Sequence, residues 1–489
     1  MTRNILKTIL LTIAGLLWLG APTLSGHSGK PLYHLIIDTD AAVDDLRAVT
    51  TLLSCNDIRT LAILGSHGTL EAPEAARRVT SLLTVFGHEG IPVGIGRTLN
   101  RDLPNWHGFA RSVKWGPEIT RTDPPMAEAI ELINQVTRNY PDKITWIALG
   151  ALTNIADWLE SNPSNAEKIE RIIWYNSPDL KKGSNYRTDP EAYQRVISYN
   201  VDLQIVSNNR THLKMDAEYL QTLASAGSAY SDHLFHVFDQ LLHSVNEVKP
   251  HLDVDDDLAV LYLTCPLVFE QDTSRTPTVY VPVSGIPATY LAELNASVLA
   301  SSINPNNQVF SIFPTDKEVY RWEVSEFLEK TIKRFGLTEW RSVVLTNEIH
   351  GHIGIYSIIG VKMGIRAMDW FNVGINNLEV ISYAGSLPPY SCLNDGIQIS
   401  TGSTIGQGLI TIADTISAVP TVDFRFNGQT LRMVLDPDIA TKMREDIAYG
   451  VEHYGFSDRY WNYIEKLAYQ YWREMDRNKI FRLREEISL

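Results

Sequence analysis

Leu35-Ile36-Ile37-Asp38-Thr39-Asp40-Ala41-Ala42-Val43-Asp44-Asp45 runs from an apolar stretch straight into four aspartates within eight positions. A short apolar β-branched run ending in acidic residues reads as a buried strand whose carboxyl end opens into a crevice, the place where open α/β sheets bind ligands. Like charges this close repel by several kcal/mol at about 4 Å and intermediate dielectric, unless a hard cation or a sugar's hydroxyls offset them. A solvated turn leading into a helix N-cap is the competing explanation of the same segment.

Around and beyond this stretch, strand-like runs alternate with helical patterns between residues 31 and 210, which predicts an α/β fold with an open, mostly parallel sheet covered by helices on both faces. Strands are expected at Tyr33 to Ile37, Thr60 to Leu64, Ile91 to Ile95, Ile144 to Leu149, Arg171 to Trp174 and Leu203 to Val206. Helices are expected at Met126 to Asn139, where Ala127, Ile130, Ile133 and Val136 recur at helical spacing, and at Pro190 to Ile197. Segment 272 to 315, rich in Pro, Ser, Thr and Asn, reads as strands and loops, and Tyr320 to Phe335 as one amphipathic helix ended by Gly336.

A boundary near 337 follows, with a smaller α+β domain from 337 to 489 in which Val422, Phe424 and Phe426 alternate up to an Asn427-Gly428 hairpin turn. The aromatic stripe of Tyr460 to Met475 reads as core or as contact in a homo-oligomer.

With 489 residues and 44% hydrophobic content, the chain is long enough for about two or three domains. A formal net charge of -14 argues against nucleic-acid polymers, whose binding needs Lys and Arg against phosphates, and favours neutral or cationic small ligands. Arg3 and Lys7, the uncharged run Thr8 to Ala21 and the small residues around Ser25 and Gly26 resemble a secretory signal peptide over residues 1 to 29. The run is short for a membrane span, an uncleaved signal anchor being the alternative, and the expected destination is periplasmic or extracellular. Cys55, Cys265 and Cys392 are too few and too scattered for a disulfide framework.

Two further patches are also read as sitting where strand candidates end: Leu149-Gly150-Ala151-Leu152-Thr153-Asn154-Ile155-Ala156 and Asp253-Val254-Asp255-Asp256-Asp257-Leu258-Ala259-Val260. In this order and at these separations, the three segments resemble the inosine-uridine nucleoside hydrolases, whose pattern reads DxDxxxDD, then GPLTNxA, then HDxLAV. Asn185 ahead of Asp189-Pro190-Glu191-Ala192 resembles the family's sugar-contacting asparagine and DPEA helix, and His107-Gly108 a family loop. The resemblance covers about residues 33 to 336. It implies calcium-dependent hydrolysis of the N-glycosidic bond of a ribonucleoside or related ribosyl compound.

Carried over by position, it implies a calcium ion held by Asp40, Asp45, the carbonyl of Thr153 and Asp256, an oxygen-only set suited to that cation. Asp40 would also take a proton from a calcium-bound water. Asp44 and Asn185 would face substrate, with Asp38 beside them bracing the loop. Where the family carries a histidine that protonates the leaving base stands Asp255, with His251 nearby as a substitute. That departure leaves a second reading, a catalytically impaired nucleoside- or sugar-binding protein. Asp38-x-Asp40 alone also fits the nucleophile motif of haloacid-dehalogenase-type phosphatases, which leaves the other two patches without a role.

In the second domain, Glu348-Ile349-His350-Gly351-His352 and, later, Cys392-Leu393-Asn394-Asp395-Gly396-Ile397-Gln398 with Thr401-Gly402-Ser403 resemble the FmdE family of formylmethanofuran dehydrogenase. The resemblance implies a zinc site on His350, His352 and Cys392. It also opens a third reading, in which the first domain carries a metal-handling module. Two cysteines of the family pattern are Gly354 and Ser403 here.

Overall fold

The computed structural model describes residues 31–120, 126–208, 214–243, 252–274, 277–303 and 309–487. The expected leader, residues 1 to 29, and His251 lie outside them.

β1 (Tyr33–Thr39) lies inside a nine-stranded sheet with β2 (Ile58–Gly65), β3 (Val93–Ile95), β4 (Ala127–Glu128), β5 (Ile144–Ala148), β6 (Ile169–Tyr175), β7 (Leu203–Val206), β8 (Phe269–Asp272) and β9 (Val279–Pro282). Their order is β4-β3-β2-β1-β5-β6-β7-β9-β8. All pairings are parallel except that of the edge strand β8 with β9.

Successive residues of β1 point to opposite faces: Leu35 and Ile37 enter one apolar cluster, and Ile36 enters the cluster on the other side. Burial on both faces is why β2 and β5 are buried along their whole length and read as continuous apolar runs. The chain moves outward from β1 to β4 in one direction, then restarts at β5 on the opposite side of β1. The crevice at the carboxyl ends of β1 and β5 is therefore the topological switch point, and there the first acidic stretch emerges.

Two expectations fail in the first domain's last third. Within 272 to 315 lies a helix, Ala288–Ala300, which buries Leu291, Ala292, Asn295, Ala296, Val298 and Leu299. The polar stretches on either side concealed it, and Asn295 is buried because its amide donates to the Tyr219 hydroxyl at 2.8 Å. Tyr320 to Phe335 is two helices, Trp322–Ser325 and Leu328–Phe335. Phe313, Val324, Phe327 and Leu328 pack with Trp340 and Trp472 in the second domain's core. The apolar faces of these short helices are thus covered by the C-terminal helices, with Phe327 against Tyr469 and Trp472.

The second domain has a five-stranded sheet ordered β11-β10-β12-β13-β14, from β10 (Glu379–Ser382), β11 (Ile410–Ile412), β12 (Thr421–Phe426), β13 (Gln429–Leu435) and β14 (Phe481–Ile487). The β12-β13 hairpin turns at Asn427 and Gly428, with φ of 47° and 80°, the paired left-handed residues such a turn requires. Helices Ile355–Phe371 and Leu393–Thr401 cross closely: a Cβ at Gly360 would lie 2.1 Å from the Leu393 carbonyl oxygen.

Helix Asp458–Glu474 buries Tyr460, Ile464, Leu467, Ala468, Tyr471 and Trp472, so the aromatic stripe is mostly core. Across the domains, Arg366 donates to the Gly87 carbonyl at 2.7 Å and pairs with Glu89 at 3.1 Å. Among the described residues no helix is long and apolar enough to cross a membrane.

Candidate active site

β1 ends at Thr39, and helix Val43–Ser54 begins four residues later, so the intervening loop must reverse tightly. Ala41 takes a φ of 58°, a left-handed conformation that costs a non-glycine residue about 1–2 kcal/mol. Local hydrogen bonds hold it: Ala41 N–H donates to the Thr39 hydroxyl at 2.9 Å, and Ala42 N–H to Asp40 Oδ1 at 3.3 Å. Asp45 Oδ2 accepts from the Thr39 hydroxyl at 2.6 Å and from Asp40 N–H at 3.1 Å. The turn thereby aims its carboxylates into one cavity of about 270 Å³, lined among others by Asp40, Asp44, Asp45, Asn185, Asp255 and Asp256.

Asp44, Asp45 and Asp256 form the one group of three ligand-bearing side chains, among the described residues, whose oxygens lie within 4.8 Å of one another. This differs from the expected set. Asp44, assigned to substrate, stands with the ligands, whereas Asp40 is turned toward the Thr69 backbone amide and hydroxyl and the Ala42 amide. Thr153 heads helix Thr153–Ser161, gives its hydroxyl to Asp189 at 2.8 Å and does not line the cavity. Asp38 is also off the cavity wall. It is fully buried beneath the loop and accepts from the Asn154 amide at 3.1 Å, so it braces and does not face substrate.

The third acidic stretch is brought from over 200 residues away by Arg47. Its guanidinium is wholly buried, donates from Nε to Asp257 at 2.7 Å and from Nη2 to the Asp253 carbonyl at 3.0 Å, and lies over the Phe238 ring. Asp255 accepts from the Asn208 amide at 2.8 Å and bonds the Tyr175 hydroxyl. Asn185 spends its amide on the carbonyls of Leu149 at 2.6 Å and Tyr175 at 3.0 Å, leaving its own carbonyl oxygen for a ligand.

Sequence reasoning missed Thr69, Trp106, Phe109 and Tyr175, which line the cavity, and Arg47, which closes it. His107 bonds the Pro104 carbonyl, and its neighbour Trp106 is the residue that reaches the cavity.

The donor set fits a hard divalent cation: two buried carboxylates and the half-buried Asp44 converge, and one oxygen, Asp256 Oδ1, has no hydrogen-bond partner. Burial first, then repulsion among neighbours, pushes Asp45 up to about 6, Asp44 to about 7 and Asp40 to about 8, and raises Asp256 well above the carboxylate range.

A carboxyl whose folded pKa exceeds its unfolded value of about 3.9 stabilises the fold below that value, and the contribution is lost as pH rises through the folded pKa. The chelated protein is therefore expected to lose melting temperature between about pH 5 and pH 8, with calcium restoring it. Calorimetric melting across that range checks this, and a flat profile indifferent to calcium refutes it.

The zinc set of the second domain is not assembled. His350 and His352 are close, their ring centroids 4.3 Å apart, but Cys392 does not join them within the ligand-forming distance. His350 Nδ1 instead bonds Asp395 at 2.8 Å. Burial raises the Cys392 thiol, which disfavours the thiolate a metal needs.

A family model described as inosine-uridine preferring nucleoside hydrolase matches residues 35–309, and one described as FmdE, molybdenum formylmethanofuran dehydrogenase operon, matches residues 349–481. Uridine nucleosidase 1 of Arabidopsis thaliana is 26% identical over 211 residues, which span 40% of this chain and 63% of that protein. The pyrimidine-specific ribonucleoside hydrolase RihA of Citrobacter koseri is 28% identical over 233 residues, 44% of this chain and 73% of that one. Among solved structures, the inosine-uridine preferring nucleoside hydrolase from Bacillus anthracis aligns over 55% of this chain and all of its own, at 17% identity and a TM-score of 0.45. With its first model match extending over more than half of its length, the chain belongs to the inosine-uridine preferring nucleoside hydrolase family and carries an FmdE-like domain behind it.

Proposed function

We propose that the first domain hydrolyses the N-glycosidic bond of a ribonucleoside to base and ribose, using calcium. The observation that carries this is the convergence of Asp44, Asp45 and Asp256 beside Asp40 at the switch point of the sheet. Asp44, Asp45 and Asp256 would hold the cation. When bound, it neutralises their charge and lowers the pKa of water beside it.

Asp40, with its raised affinity for protons, takes the proton of the attacking water. Positive charge that develops at the anomeric carbon is stabilised by the surrounding carboxylates. The Asn185 carbonyl oxygen accepts from a ribose hydroxyl, and Trp106, Phe109 and Tyr175 form the apolar wall that limits water and offers the base a surface. Asp255, which bonds the Tyr175 hydroxyl, would give the departing base its proton.

A panel of uridine, cytidine, inosine, adenosine and guanosine, assayed for released ribose with and without chelator, tests the proposal. Calcium-dependent release from at least one nucleoside is expected. Failure of the calcium-loaded protein on all five overturns it, and binding without release would favour the sugar-binding reading.

We infer an exported protein, periplasmic or extracellular, from Arg3, Lys7 and the apolar run that follows. Recovery from the cytoplasm with residues 1 to 29 still attached would refute export.

A further inference from the structure

A second cavity, of about 360 Å³, adjoins the acidic one and shares Asp40, Thr69, Trp106 and Ser184 with it. Its other walls have the opposite character: Arg101, Arg187 and His67 line it, with Asp102 as the added carboxylate. Arg187 makes no ion pair among the described residues, and Arg101 has only an exposed pair with Glu191 at 3.2 Å. His67 is 3% exposed, with one ring nitrogen on the Arg101 carbonyl and its Nδ1 buried without a partner. A buried imidazole nitrogen without a partner is costly unless a ligand answers it, and the same cavity presents two guanidinium groups that no buried carboxylate among the described residues neutralises.

The acidic cavity engages a ribosyl ring at the anomeric carbon and its hydroxyls, while the aromatic wall takes the base. The part of the sugar left to reach the annex is its exocyclic C5. We propose that the substrate carries a phosphate there, a ribosyl 5-phosphate group that docks on Arg187, Arg101 and His67. The inference rests on the nucleosidase reading and narrows its substrate class. Guanidinium groups suit phosphate by geometry and charge, and an anion beside His67 draws a proton to Nδ1 and turns it into a donor.

Isothermal titration of the calcium-loaded full chain with ribose and with ribose 5-phosphate tests the annex without turnover. Ribose 5-phosphate is expected to bind at least about ten-fold more tightly, and Arg187→Ala to remove most of that preference. Equal affinities, or a preference that survives Arg187→Ala and Arg101→Ala together, overturn it.

A kinetic arm compares uridine with uridine 5′-monophosphate, and a higher kcat/KM for the monophosphate supports the annex. Release from uridine with no gain from the phosphate removes the annex and leaves the nucleosidase. Release from neither leaves the nucleosidase to the five-nucleoside panel, while the titration still decides the annex.

Discussion

Asp40→Asn is expected to lower kcat for ribonucleoside hydrolysis by about 10²–10⁴-fold, the contribution typical of a positioned general base, while calcium binding persists. The reason lies in where the carboxylate sits. Asp40 lines both cavities but falls outside the group of Asp44, Asp45 and Asp256, so its loss leaves three converging carboxylates in place. Burial and repulsion from the nearby Asp45 raise its pKa to about 8 in the cation-free chain, and a cation beside it offsets that repulsion and frees the carboxylate to accept a proton near neutral pH.

Its position leaves little slack: a Cβ on Gly68 would fall 2.0 Å from Asp40 Oδ2, so only glycine fits beside it. The amide keeps the side chain's shape and one acceptor oxygen beside the Ala42 and Thr69 donors. Steady-state kinetics paired with calcium titration checks the expectation. A kcat within a few-fold of the parent would remove Asp40 from the role of base.

The largest effect on stability is expected from Arg47→Ala, at about 3–5 kcal/mol, because it strands Asp257 as a buried charge without its partner. The pair is 0% and 1% exposed, so solvent does little to screen it. Asp257 keeps the helix Asp257–Thr264 against the helix that carries Asp44 and Asp45, and the second bond, to the Asp253 carbonyl, holds the approach to Asp256. Weaker calcium binding should accompany the lost stability, since Asp256 reaches the cavity through this attachment.

Urea unfolding of parent and variant measures the first effect and calorimetric calcium titration the second. Replacing Arg47 and Asp257 together by apolar residues of similar volume should recover much of the stability, because no unpaired charge remains. A loss below about 1 kcal/mol for Arg47→Ala would show that the pair is not the clamp described.

Most of the first domain's architecture was legible because it is written in neighbouring residues. The alternate facing of Leu35, Ile36 and Ile37 and the helical spacing in the helix Ala129–Asn139 are local patterns with periods of two to four residues, as is the Asn427-Gly428 turn in the second domain. Where the local signal was blurred, the reading failed. Helix Ala288–Ala300 lies between polar, Pro-, Ser- and Asn-rich stretches that mask it, and the break near Phe327 separates two short helices that look continuous in one dimension.

Residue order alone carried the parallel sheet, the three acidic patches and the departures from the family pattern at Asp255, Gly354 and Ser403. It took the folded chain to put Asp44 and not Asp40 with Asp45 and Asp256, to keep Asp38 and Thr153 off the wall, and to join through Arg47 stretches about two hundred residues apart. The same holds for Cys392, which folding leaves away from His350 and His352. Residue order specifies which chemical groups an element presents, since strand and helix periods act over a few positions. Which oxygens converge within hydrogen-bond or ligand distance depends on side-chain rotamers and on packing between remote segments, a balance of burial and charge that exists only once the chain has closed on itself.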